Sequence, residues 1–96
     1  MDKVIYLSNL FDYYGKLLSE KKQNYFKDYY FKNLSLSEIS ENEKVSRNAI
    51  YKQIKEAEKQ LIHYEKVLKQ YQNSLKIRKI IQNLDSKTKG EIEKYI

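Results

Sequence analysis

The chain has no cysteine, no proline and no tryptophan, and only two glycines and one histidine in 96 residues. Each shortage removes a kind of structure or chemistry. Without cysteine there is no disulfide framework and no thiolate for a zinc site or a nucleophile, and the composition fits a reducing cytoplasm. His63 is the lone histidine, so a Cys/His nucleophilic pair cannot be built either, and it reads as a polar residue on the flank of a helix. Gly15 and Gly90 form no glycine-rich phosphate loop, which excludes a nucleotide hydrolase of the usual kind. No run approaches the roughly 20 apolar residues that cross a bilayer, and Met1, Asp2 and Lys3 open no secretory leader. These absences predict a cytoplasmic, non-enzymatic protein with no cofactor, no metal, no small-molecule substrate and no membrane insertion.

What is present points to helices. The lack of proline and of strictly alternating segments predicts an all-α chain, and its length suffices for one modest core. The net charge of +6 and pI near 9.4 favour a polyanionic partner. Lysine, asparagine, isoleucine and tyrosine make up nearly half of the residues, a bias that A/T-rich codons produce on their own. The charge therefore supports nucleic-acid binding without identifying it.

The first helix is expected over Asp2 to Leu18, with Leu7, Leu10, Phe11, Tyr14, Leu17 and Leu18 recurring at helical spacing. Ser19 is the next N-cap, before a helix carrying Tyr25, Phe26, Tyr29 and Tyr30 and ending by Asn33. Ser35 and Glu38 have capping-box spacing. A short helix with Leu36 and Ile39 follows, then a polar break, Val45, and a second start at Ser46. Two helices joined by so short a turn predict a helix-turn-helix.

The fourth helix reads as long. Ile50, Ile54, Ala57, Leu61, Tyr64, Leu68, Tyr71 and Leu75 step by four and three alternately, a seam sustained for about 25 residues, or roughly 38 Å. Its second half needs a partner. That is either a following helix with Ile77, Ile80, Ile81 and Leu84 after a turn at Asn73 and Ser74, or a second copy contacting Leu61, Tyr64, Leu68, Tyr71 and Leu75. Ser86 is expected to cap a last short helix. The expected architecture is a compact helical bundle, with a helix-turn-helix domain over residues 1–72 and a C-terminal helical extension for packing or dimerisation over 73–96.

The candidate nucleic-acid-binding residues are Ser46, Arg47, Asn48, Tyr51, Lys52 and Lys55. Arginine pairs with a guanine edge and asparagine with an adenine edge through two hydrogen bonds each. Ser46 with the helix N-terminus suits a phosphate, and the lysines suit the backbone. Two departures bear on the turn: Glu43 stands where such units place an apolar anchor, and Lys44 where many have glycine. Glu56 and Glu58 read as surface carboxylates that dilute the charge of this helix. The ten tyrosines raise the alternative of stacking on RNA bases, but their helical spacing favours packing.

The blocks LFDYY, LLSEKKQNY, DYYF, LSLSEIS and VSRNAIYKQIKEAE occur in order across roughly residues 5–70. In this the chain resembles the YlxM family of small bacterial helix-turn-helix proteins, whose core is similar to region four of sigma factors. The resemblance implies a part in the signal recognition particle pathway, as an accessory or regulatory protein touching the particle's RNA or its GTPase. The competing expectation is a homodimeric transcription regulator that reads duplex DNA with helix four. A third is a protein-interaction module that keeps the helix-turn-helix as scaffold.

Overall fold

The structure is a computed structural model that describes residues 2–96. It contains six α-helices and no strand among those residues: α1 (Lys3–Tyr14), α2 (Glu20–Tyr30), α3 (Leu36–Glu43), α4 (Arg47–Leu68), α5 (Gln70–Ile81) and α6 (Ser86–Glu93). The all-α bundle is as expected. No helix among the described residues is long and apolar enough to cross a membrane.

Local chemistry sets most of the boundaries. Asp2 accepts the Val4 N–H at 2.7 Å and starts α1. The expected first helix ends early, at Tyr14, and continues as one 3₁₀ turn over Gly15–Leu17. A Cβ at Gly15 would come within 2.9 Å of the Phe11 ring, which stacks on Phe26 at 4.7 Å. Only glycine lets the chain pass that ring pair so closely. Ser19 then caps α2 through the Lys22 N–H at 3.2 Å. Asn33 adopts the left-handed conformation just past α2, which asparagine tolerates better than most residues. The capping box at α3 is complete: Ser35 accepts the Glu38 N–H, and Glu38 accepts the Ser35 N–H. Those bonds hold the Glu38 carboxyl below its ordinary range, the Ser35 backbone N–H being the larger cause.

α4 runs through the centre and packs on α1, α2 and α3. Its 22 residues span about 33 Å. Its first half joins Tyr25, Ile39, Ile50 and Ile54 into one cluster. Its second half joins Ala57 and Leu61 to Leu7, Leu10, Tyr14, Leu18 and Phe26 in another. The tyrosines serve this packing as their spacing suggested; only Tyr29, Tyr51 and Tyr95 are exposed.

The long fourth helix is shorter than its seam. It stops at Leu68, and α5 begins two residues later. The turn is not at Asn73 and Ser74 but at Lys69, whose φ of 57° and ψ of 25° are left-handed. The cause is a polar lock. Glu65 accepts the backbone N–H groups of Tyr71 at 3.1 Å and Gln72 at 2.9 Å, and the Tyr14 hydroxyl accepts that of Gln70 at 2.9 Å. Three of the four orphan donors at the start of α5 are thereby satisfied by residues of α1 and α4.

Ser74 lies inside α5, 2% exposed. It donates to the Tyr71 carbonyl and accepts from the Tyr13 hydroxyl, both at 2.7 Å. Position 72, after which the sequence reading divides the chain, likewise falls within α5. Of the second apolar stretch, Ile81 is buried and Ile77 half-buried, whereas Ile80 and Leu84 are exposed. Asp85, rather than Ser86, caps α6 by accepting the Thr88 N–H at 2.9 Å. Both residue types cap well, and the backbone selects the earlier one.

Candidate nucleic-acid interface

The expected helix-turn-helix is α3, a three-residue turn and α4. Lys44 takes φ 56° and ψ 41°, so the costlier backbone is adopted without glycine. The Val45 N–H returns to the Ser40 carbonyl at 3.2 Å, and the Ser40 hydroxyl donates to the Val45 carbonyl. Val45, Leu34 and Leu36 pack against Ile39, Ile50 and Ile54. Glu43 is exposed, so that position anchors nothing in the core. Ile39, one turn earlier, is fully buried instead.

The candidate residues do not all sit alike. Ser46 caps α4 by accepting the Ala49 N–H at 3.1 Å. Arg47, Asn48 and Lys52 are exposed, and Tyr51 is 49% exposed. The Arg47 guanidinium reaches the Ser37 hydroxyl at 3.4 Å, a contact between the two helices of the motif. Lys55 is half-buried, with its ammonium 3.4 Å from Glu58 and 5.4 Å from the centre of the Tyr51 ring. Five of the six are thus exposed, Ser46 among them as a cap, while Lys55 is held by its neighbours.

The electrostatics also differ from the expectation. Glu58 is not a surface carboxylate: it is 5% exposed, accepts the Tyr30 hydroxyl at 2.6 Å and lies 3.7 Å from the Lys3 ammonium. Burial, then the hydrogen bond to Glu58, raises the Tyr30 phenol above its ordinary value. Glu56 pairs with Lys22 at 3.4 Å. The carboxylates expected to dilute the reading helix are therefore engaged with α1 and α2.

Sequence reasoning missed Tyr29 and Ser37. Tyr29, Ser35, Leu36 and Ser37 line a shallow pocket together with Arg47 and Asn48. Nothing in their spacing signals this, because α2 and the α3 N-terminus meet the start of α4 only after folding. Of the residues expected in a seam between copies, Leu61 is fully buried and Tyr71 nearly so within this chain, and Tyr64 is half-buried. Leu68 and Leu75 remain 47% exposed. His63 is exposed on α4.

A short capped helix, a turn closed by Ser40 and a long helix with polar, exposed first turns define a helix-turn-helix protein. The comparisons agree. The chain belongs to the UPF0122 family, whose model, described as "Putative helix-turn-helix protein, YlxM / p13 like", matches residues 1–95. It is similar to a UPF0122 protein of Fusobacterium nucleatum, 43% identical over 97 residues that cover 100% of this chain and 94% of that one. One from Clostridium botulinum is 41% identical over 99% of this chain and 84% of its own. One from Oceanobacillus iheyensis is 40% identical over 88% of this chain and 80% of its own.

Proposed function

We propose that this is a non-enzymatic, cytoplasmic regulatory or accessory protein that binds nucleic acid with the start of α4 and acts in the signal recognition particle pathway. The observation carrying the nucleic-acid part is the exposure of Arg47, Asn48, Tyr51 and Lys52 on the first two turns of the second helix of a helix-turn-helix. The net charge of +6 supports it. The pathway is supported only by the resemblance to the YlxM family, whose genes neighbour those of the particle's GTPases.

The test is one anisotropy titration series at several salt concentrations. Its probes are the particle's RNA, an unrelated structured RNA and mixed-sequence duplex DNA, matched in charge. Preference for the particle's RNA that persists as salt rises supports direct action there. Equal, salt-sensitive binding to all three removes that reading and leaves the GTPase as the component to test.

The second reading is a dimeric DNA-binding regulator, favoured by the adjacent exposed Arg47 and Asn48, which suit guanine and adenine edges. A pool of random duplexes should then yield a symmetric motif with half-sites about one helical turn apart. Dimerisation would draw on Leu68, Val67 and Ile80, which this chain leaves uncovered. A monomeric mass in solution at micromolar concentration would argue against it.

A further inference from the structure

Residues 59–84 contain Lys59, Lys66, Lys69, Lys76, Arg78 and Lys79 but a single carboxylate, Glu65. Glu65 is buried and holds the start of α5. Arg78 pairs with Glu93 at 2.8 Å. The five lysines are exposed, and none of them is in an ion pair among the described residues. Between α1, the end of α4 and α5 lies an open groove of about 590 Å³ lined by Tyr6, Ile62, Glu65, Lys66, Tyr71, Gln72 and Leu75, with the Glu65 oxygens already taken up by Tyr14, Tyr71 and Gln72. Ile62 and Leu75 are 45% and 47% exposed there. Lys59 and Lys66 flank Ile62 along one face of α4, and Lys76 and Lys79 adjoin Leu75 on α5.

The geometry points to this groove as the docking site of an acidic amphipathic helix from another protein. Its apolar face would lie on Ile62, Leu75 and the two tyrosine rings, and its carboxylates would meet the unpaired lysines on both banks. Each feature selects against other occupants. A nucleic acid gains nothing from the aliphatic side chains, which cannot pair with phosphate. A lipid surface is flat, whereas this site is concave. A second copy seated face to face would bring its lysines against the same lysines. The surface is separate from the exposed start of α4, so the inference is independent of the nucleic-acid reading.

The test uses the full chain and a fluorescein-labelled helical peptide of about 18 residues, with leucine at i, i+3, i+4 and i+7 positions and glutamate flanking that stripe. Controls are a scrambled peptide of the same composition, the same helix with lysine for glutamate, and phosphatidylglycerol vesicles. The expected result is binding about tenfold or more tighter than to either control peptide at physiological salt, a difference of about 1.4 kcal/mol. Ile62→Asp with Leu75→Asp should abolish it, and Lys66→Glu with Lys76→Glu should weaken it about tenfold. The lysine reversals alter only exposed side chains, so they remain informative if the aspartate pair misfolds. Equal affinity for the scrambled peptide, capture by vesicles without peptide preference, or a dimer that the same substitutions dissociate would each overturn the inference.

Discussion

Tyr14 and Glu65 are 51 residues apart in the chain and 2.6 Å apart in space, the phenol donating to the carboxylate. Each also holds the start of α5: the Tyr14 oxygen accepts from Gln70, and Glu65 accepts from Tyr71 and Gln72. One pair of side chains from α1 and α4 therefore replaces the N-cap that Lys69 does not supply.

Tyr14→Phe should lower stability by about 1–3 kcal/mol, since it leaves the Gln70 N–H without its acceptor and Glu65 Oε1 with the Tyr71 N–H alone. For a domain of this size each kcal/mol lowers Tm by roughly 4–8 °C. Glu65→Ala should cost more, because two backbone donors and the Tyr14 hydroxyl lose their acceptor together. Thermal melts followed by circular dichroism separate the two, and equal, negligible shifts would show that the lock does not hold α5.

The same pair gives an alkaline signature. Burial, followed by the hydrogen bond to Glu65, pushes the Tyr14 phenol from its ordinary 10.0 up to about 12. The unfolded chain then releases this proton first, so the contribution is fully present below about pH 10 and is lost as pH rises through about 12. Urea midpoints measured across that interval should fall less steeply for Tyr14→Phe than for the unchanged protein. Parallel curves would place the alkaline loss elsewhere.

Lys44 holds the helix-turn-helix turn at φ 56°. Lys44→Gly should stabilise the fold by about 0.5–1 kcal/mol, since glycine removes the Cβ clash of the left-handed region. A rise in the urea midpoint with an unchanged slope is the expected result. A fall would mean that the lysine side chain contributes more than its backbone costs.

Within the proposed nucleic-acid interface, Lys52 and Lys55 should behave differently. Lys52→Ala should reduce the steepness of log affinity against log salt by about one, as expected for one lost phosphate contact. Lys55→Ala should leave that slope nearly unchanged and lower stability instead, because its ammonium is placed beside Glu58 and Tyr51. Arg47→Ala with Asn48→Ala should reduce discrimination between duplex sequences more than overall affinity. Salt titrations of the three variants read all of these effects.

What could be read from the chain alone was local. The caps at Ser19, Ser35 and Ser46, the turn before α4 and the apolar faces of α1 and α4 involve residues within about one helical turn of each other. The break at Lys69 had no such signal. A single left-handed residue leaves the alternating four-and-three spacing from Leu68 to Tyr71 and Leu75 undisturbed, so the seam reads on through it. The residues that enforce the break, Tyr14 above all, come from the far end of the chain. Glu58 reads as surface charge from the sequence for the same reason, and nothing in the spacing marks Glu65 as buried. Their phenol partners, Tyr30 and Tyr14, are brought to them only by the packing of α2 and α1. At the interface, the residue types at the start of α4 were legible, but the diversion of Lys55 to Glu58 was not.

Because α4 contributes Ile50 and Ile54 to one apolar cluster and Ala57 and Leu61 to the other, the helix-turn-helix end of the molecule is not a detachable module. Opening either cluster strips one side of the same rod, so the two halves should unfold as a single cooperative unit. In native-state hydrogen exchange the slowest amides should fall together around the middle of α4. Those of α6, which has no buried residue, should exchange first, leaving the C-terminal end free to fray while the helix-turn-helix end stays rigid.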